Sequence, residues 1–415
     1  MAFKFQVRGI FKLEMLKLYK KYYKLLKQKS YDPTKIICEL FLELIYLYFD
    51  NHKEKLYKLF FPVIMANFIE KGSIHSVTEE FREEKNLYSW SYTYRILGQL
   101  DEDTGLEISR IYRKVMFKIL KKIGFKNKGY CVAIDITAKP FYGNKNLFMV
   151  KGSKRKAGTN YSIQYLTASI IEEGVRFNLL CFPIPSLTSI TRKFEQLVSE
   201  IRKMIQIKLL FMDRGFANKK YSRILKFLRH KFIMPLARNN KLKEMELCIK
   251  EQSVLGKYEY VIIVLNYIFS EDRPKEYHAN VRLIIIHDGN GIYFFITNMY
   301  NLGHEECYCL IQVYKYRFGI ETNYRVDNIF SPFTCSITAA LRYLLMQISM
   351  IAQDLWTFVN FLAHRKEKKQ PREKFKGKYS IIDIVKARIE DLSFTWRPII
   401  TAVRFKRKVE KILQQ

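Results

Sequence analysis

The chain has seven cysteines but no C-x-x-C pair. Zinc ribbons and knuckles need paired thiolates at short spacing, so the pattern argues against a structural zinc site. The cysteine count is odd, and most of the seven sit in apolar runs, as small buried hydrophobes do. A disulfide framework is not expected, and a reducing intracellular compartment is. There is no apolar block of a secretory leader either, since Met1 to Arg8 is mixed and basic. Nor is there an unbroken membrane span. The nearest candidate, 343–363, contains Gln347, Gln353 and Asp354. An Asp at mid-span costs about 2.5–3.5 kcal/mol on insertion scales, so a buried core helix is expected there. Acids are scarce overall: 40 Asp and Glu face 72 Lys and Arg, leaving a net charge of +32.

That imbalance favours a polyanionic partner, nucleic acid first and an anionic membrane surface second. The 48% hydrophobic content excludes wholesale disorder, and 415 residues allow two or three domains. Residues 1–125 read as an all-α region. Leu13, Leu16, Tyr19, Tyr23 and Leu26 recur at helical steps with lysines between them, and Ser76 with Glu79 forms a capping box. Lys17, Lys20, Lys21 and Lys24 suit this region to DNA-end binding or dimerisation.

The texture changes at Tyr130. Short β-rich runs cover 131–136, 161–171, 175–182, 208–212 and 231–236, with helical patterns at 188–205 and 217–229. That order describes an α/β fold, a mixed sheet flanked by helices, over 126–239. A β-rich insertion follows at 240–302, with runs at 258–268, 281–286 and 292–297 and a hairpin signal at 287–291. Helical patterns resume near His304 and again over 336–362, so 303–364 reads as the second part of the core. A basic linker and helical tail occupy 365–415, with 365–378 carrying eight basic and two acidic residues. His287 and His304 flank hairpin and helix starts and read as structural.

Three acids stand out by position. Asp135 interrupts the apolar run Cys-Val-Ala-Ile-Asp-Ile-Thr, where a charge is costly unless paired or metal-bound. Asp213 ends the run Lys-Leu-Leu-Phe-Met, at the carboxyl edge of a strand, where α/β sheets place ligands. The plain alternatives are a turn acid at Asp135 and a helix N-cap at Asp213. Glu321 shares one helical stripe with Tyr314, Arg317, Arg325 and Asn328, since offsets of three, seven and fourteen fall within roughly 60° at about 100° per residue. Three carboxylates from two strands and a helix can hold two Mg²⁺ or Mn²⁺ ions about 3.5–4 Å apart, because oxygen-only donors suit hard cations. Such a site activates a water or a 3′-hydroxyl for phosphoryl transfer.

Tyr314-x2-Arg317-x3-Glu321 resembles the signature around the catalytic glutamate of insertion-sequence DDE transposases, in the branch with a β-rich insertion before the Glu. Met212-Asp213-Arg214-Gly215-Phe216 resembles the second-Asp motif of that family. The first-Asp region is matched by Ile134-Asp135-Ile136-Thr137, then Pro140-Phe141-Tyr142-Gly143 and Gly158-Thr159. The resemblance spans about 130–345 and implies an RNase H-like core with Asp135, Asp213 and Glu321 as catalytic metal ligands. It further implies Mg²⁺-dependent cut-and-paste transposition, with terminal inverted repeats and target DNA as partners. A homodimer and a cytoplasmic, DNA-associated location follow from the same likeness. Tyr314 and Arg317 would contact DNA phosphate, and Arg suits that by its bidentate fork. The family's Lys seven residues after the Glu is Asn328 here, and Arg325 on the same stripe is the substitute. Relatives hold a flipped base with an aromatic of the insertion. The three tryptophans (Trp90, Trp356, Trp396) lie elsewhere, so Tyr293 or Phe294 is the stacking candidate. Lys151, Lys154, Arg155 and Lys156 are expected in a loop between the first two strands, in reach of DNA phosphate. The alternatives are an RNase H-like nuclease without strand transfer, and an inactive DNA-binding derivative. A peripheral membrane protein would use 11–29 as a basic amphipathic helix but leaves Asp135 and Asp213 unexplained.

Overall fold

The computed structural model describes residues 72–99, 129–172, 175–251, 260–269, 279–288, 291–315 and 330–366, together with Arg317 and a few helical positions between 58 and 117. The chain divides into two compact units, 127–323 and, separately, 1–126 with 324–415.

In the discontinuous unit, α1 spans Ile74–Lys85 and α2 spans Trp90–Leu97. The capping box of α1 is Ser73 with Ser76, not the expected Ser76 with Glu79. The helix starts one turn earlier because the Ser73 hydroxyl accepts from the Ser76 amide at 3.0 Å and the Ser76 hydroxyl accepts from the Ser73 amide at 3.0 Å. The long helix of this unit, Ala339–Lys366, buries Tyr343, Leu344, Ile348 and Ile351. Asp354, the acid that argued against a membrane span, is buried here and faces the buried Arg113 at 3.7 Å. Among the described residues no helix is long and apolar enough to cross a membrane. The lysine-bearing N-terminal segment and the 367–415 tail lie outside the described residues.

The 127–323 unit is built on one nine-stranded mixed sheet. Its strands are β1 (Tyr130–Pro140), β2 (Val150–Lys156), β3 (Thr159–Glu172), β4 (Val175–Pro183), β5 (Ile207–Met212), β6 (Phe232–Pro235), β7 (Tyr260–Phe269), β8 (Ala279–Asp288) and β9 (Gly291–Thr297). The order is β2-β3-β1-β5-β6-β9-β8-β7, with β4 also pairing β3. The β2 and β4 strands share one edge of β3. The first pairs as far as Ile163 and the second begins at Tyr165. Around β1 the sense changes, for β3 is antiparallel to it and β5 parallel. The crossover to β5 uses the helix Ile190–Met204, and the parallel β5 and β6 are joined by the helix Lys219–Phe227. Both helices bury apolar faces, Phe194, Leu197, Val198 and Ile201 on the first and Tyr221 and Leu225 on the second. Their N-caps are Ser189 and Asn218.

The β-rich segment does not stand apart from this core. Its β9 pairs antiparallel with β6, from Ile233↔Thr297 to Pro235↔Phe295, so β9, β8 and β7 extend the same sheet. The β8 core residues Leu283 to Ile286 form a continuous buried run, as in a strand covered on both faces. Two elements escape sequence reading. One is the helix Asn240–Glu251, polar on most sides. The other is β2, whose Val-Lys-Gly-Ser-Lys-Arg-Lys has almost no apolar residue to signal a strand. It exists because β3 pairs with it, through a two-residue turn in which Ala157 and Gly158 both have positive φ (50° and 85°).

His230, in the turn between the helix Lys219–Phe227 and β6, has its carbonyl engaged by the Asn298 amide at 2.7 Å. Burial, and then the charge of Arg202, push its imidazole pKa below the ordinary 6.5. The unfolded chain therefore binds more protons at this ring than the folded protein does, and stability falls as pH drops through 6.5. The denaturant midpoint is expected to fall between pH 7.5 and pH 5 by more in the parent than in His230→Gln. Equal falls in both would remove the ring from the account.

Candidate functional site

The middle of the sheet delivers two acids to one place. The first half of β1, Cys131 to Ile134, is buried, and Asp135 is the residue at which the strand emerges to half-exposure. On β5, Leu209 to Met212 are buried and Asp213 follows the last of them. The two strands are parallel and in register through Ile134↔Met212. One step further along each, Asp135 and Asp213 come level on neighbouring strands, which lie about 4.8 Å apart. Sequence alone placed Asp135 inside a strand run and Asp213 at the end of one. The register makes them a pair.

Neither plain alternative explains these acids. Asp213 occupies the N-cap position of the 3₁₀ turn Arg214–Phe216, yet its carboxylate makes no capping hydrogen bond. Five residues later Asn218 does cap a helix, accepting from the amides of Lys220 at 3.0 Å and Tyr221 at 3.4 Å. The turn after Asp213 is pinned instead by Phe216, whose ring packs on Phe194 at 5.8 Å and Tyr221 at 5.1 Å. Asp135 lies in mid-strand, not in a turn. Its Oδ1 accepts from the Ile136 amide at 2.8 Å, and the Thr167 hydroxyl of β3 donates to its backbone carbonyl at 3.1 Å.

A third element reaches the same edge. The helix His304–Lys315 ends at Tyr314, which is buried with its hydroxyl donating to the Met212 carbonyl at 3.1 Å. Its ring meets Phe211 and Phe295 edge-on, at 5.9 and 5.2 Å. Tyr314 thus ties the helix end to the last residue of β5. Burial drives its pKa far above the ordinary tyrosine range. The charges of Asp213 and Asp135 add to the rise, and Arg317 opposes it. The phenol therefore stays a protonated donor at any working pH. Arg317 is buried, with its side chain 7% exposed, lies 5.6 Å from the Tyr314 ring centroid, and brings Nη2 to 3.8 Å from Asp213 Oδ1. The expected direct contact of Tyr314 with DNA phosphate does not suit a buried hydroxyl already committed to a backbone carbonyl. What the geometry gives it is a tie to β5 and a place beside Arg317.

Glu321, Arg325 and Asn328 lie outside the described residues. Among the described residues no group of three or more His, Cys, Asp or Glu side chains converges. Lys151, Lys154, Arg155 and Lys156 are on β2, not in a loop: Lys151 and Lys156 pair with Ser162 and Thr159 of β3, and Lys154 and Arg155 lie in the irregular stretch between them. Lys154 and Arg155 are exposed, while Lys151 is half-buried, and burial lowers its ammonium pKa. Of the stacking candidates, Phe294 is core and Tyr293 is exposed on β9.

Neither a protein-family model nor a curated protein matches the chain. Among solved structures, the cryo-EM structure of a piggyBac transposase synaptic complex with hairpin DNA aligns with a TM-score of 0.44 at 12% identity. The alignment covers 94% of this chain and 80% of that one.

Proposed function

We propose that this chain is a DNA transposase of the DDE type, cleaving and joining strands at the ends of a mobile element. The single observation that supports it most is the pairing of Asp135 with Asp213 on adjacent parallel strands, with Arg317 against Asp213, in a chain of net charge +32. Antiparallel β4, β3 and β1 followed by parallel β5 and β6 support the finer reading of an RNase H-like core. Glu321, four residues beyond Arg317, is the third acid of the proposal.

The donor set fits a hard divalent cation. The two side chains offer only carboxylate oxygens, stand level, and Asp213 is 45% exposed, which leaves room for waters or substrate oxygens. Asp135 and Asp213, with Glu321, would hold Mg²⁺ or Mn²⁺. When bound, the ions supply Lewis-acid stabilisation of the attacking and leaving oxygens. Arg317 orients Asp213 and offers a guanidinium to a phosphate approaching the acid pair. The partners proposed are terminal inverted-repeat DNA and target DNA, with a homodimer to hold two ends. Residues 1–125 would bind ends or dimerise, and the basic 365–415 tail would add phosphate affinity.

The test is strand cleavage of the DNA that flanks the gene, with Mg²⁺ present, by the full chain and by Asp135→Asn. Loss of cleavage in the variant is expected, and undiminished cleavage by it would sink the assignment. A pre-cleaved 3′-hydroxyl end added to target DNA separates a transposase, which yields joined products, from a nuclease, which does not.

A further inference from the structure

The loop after β1 has an outward surface that the acid pair does not account for. It leaves Tyr142 at 70% and Phe148 at 57% exposure, and Leu187, in the turn after β4, at 87%. Large apolar side chains held in water need a reason when they cluster. Hydrogen bonds hold the loop at both ends. The Tyr142 hydroxyl donates to the Ala157 carbonyl at the β2–β3 turn, 2.6 Å away. The Phe148 carbonyl accepts from both the amide and the hydroxyl of Ser186, each at 2.9 Å, which brings Leu187 alongside. The loop is also tied at its base, where the Phe141 amide donates to the Tyr161 carbonyl at 3.0 Å and the Thr159 hydroxyl to the Phe141 carbonyl at 2.8 Å. The loop backbone and the Tyr142 ring are therefore preorganised.

The charge around it has one sign. From residue 136 to residue 171 there is no Asp or Glu, while Lys139, Lys145, Lys151, Lys154, Arg155 and Lys156 fall within that stretch. Lys145, in the loop itself, and Lys154 and Arg155, on β2, are exposed. Exposed rings interleaved with cations, and no acids among them, complement a polynucleotide whose bases are free to stack. An apolar protein partner would not require six cations, and duplex DNA offers no base faces to rings. Asp135 lies five residues before Pro140 on the same strand, so the surface begins about 16 Å from the acid pair.

We propose that the 141–149 loop and the β2–β3 turn form a binding surface for unpaired DNA. Bases stack on Tyr142 and Phe148, and phosphates are held by Lys145, Lys154 and Arg155. The proposal rests on the reading that the chain acts on DNA, and it adds where a splayed strand beyond the scissile phosphate is held.

The experiment is fluorescence anisotropy with labelled oligo(dT) and with a duplex of equal length, using the full chain. Tyr142→Ala and Phe148→Ala are each expected to weaken oligo(dT) binding about 5- to 100-fold, and duplex binding by much less. Tyr142→Phe keeps the ring and loses only the bridge to Ala157, so it should retain most of the affinity. Lys154→Ala with Arg155→Ala should reduce the slope of log affinity against log salt by about 1.4, which the ring variants leave unchanged. Unchanged oligo(dT) affinity in both ring-to-Ala variants overturns the proposal. So do equal losses for single strand and duplex, or a loss in Tyr142→Phe as large as in Tyr142→Ala. Phosphatidylserine vesicles serve as a further probe. Ring variants that lose vesicle binding but keep oligo(dT) binding would make the surface a lipid contact and overturn it too. Ring-dependent oligo(dT) binding in a chain that cleaves no DNA would sink the transposase reading and leave this surface standing.

Discussion

Asp213→Asn is expected to abolish metal-supported strand cleavage, by about three orders of magnitude or more, while leaving the folded protein nearly as stable as before. The activity side rests on charge. The substitution keeps the shape but removes half the negative charge of a level carboxylate pair, and metal assistance in phosphoryl transfer supplies several kcal/mol. At about 1.4 kcal/mol per decade, a loss of that size is roughly a thousandfold. The stability side rests on what the carboxylate does not do. It caps nothing, its side chain is 45% exposed, and its ion pair with Arg317 is long, at 3.8 Å. Arg317 is buried but water reaches the acid, so at this distance the pair is nearer a surface pair, worth about 0–1 kcal/mol, than a fully enclosed one. Cleavage on a denaturing gel beside a urea midpoint measures both halves. A large loss of stability in Asp213→Asn would mean that the acid is structural and that the site reading fails. The companion variant Arg317→Lys keeps the charge but not the fork, and should weaken cleavage less than Asp213→Asn does.

Asp354→Ala is expected to be the most destabilising single change away from the sheet, at about 3–5 kcal/mol. Asp354 and Arg113 face each other at 3.7 Å with side chains 3% and 1% exposed. Arg113 also donates to the carbonyl of Ser109 at 3.5 Å and to its hydroxyl. Removing the carboxylate takes its ion-pair partner from a guanidinium in a low-dielectric interior, where desolvation of charge is costly. Replacing both partners with apolar residues of similar volume, Arg113→Met with Asp354→Leu, should recover most of the loss. The measurement is the denaturant midpoint of each single variant and of the pair. A double variant no more stable than Asp354→Ala would show that the cost lies in packing and not in the lost ion pair.

Much of the sheet could be read in advance because its strands are short apolar runs bounded by turn residues. β1, β3, β4, β5 and β6 all lie within a few residues of where the runs placed them, and so do β7, β8 and β9. β2 could not be read that way, since its residues are those of a solvated loop and only the edge of β3 makes them a strand. The same holds for the helix Asn240–Glu251, where polar residues on most sides hide the period. The capping box of α1 was misplaced by one turn because Ser73 and Ser76 are both competent caps, and local pattern does not choose between them.

At the site, sequence identified Asp135 and Asp213 as acids at costly positions, because a charge inside an apolar run is a local fact. The runs also put Asp135 within a strand and Asp213 at a strand's carboxyl edge, and the excess of 32 positive charges pointed to a polyanionic partner. Pairing, register and burial are different in kind, since each depends on residues distant in the chain. That Asp135 and Asp213 stand level follows from a parallel register between strands some seventy residues apart. That the Tyr314 hydroxyl donates to the Met212 carbonyl, 102 positions away, is likewise not written in any local pattern. Local composition sets what each segment can be. Long-range backbone pairing, whose free energy is shared among strands, decides which side chains meet.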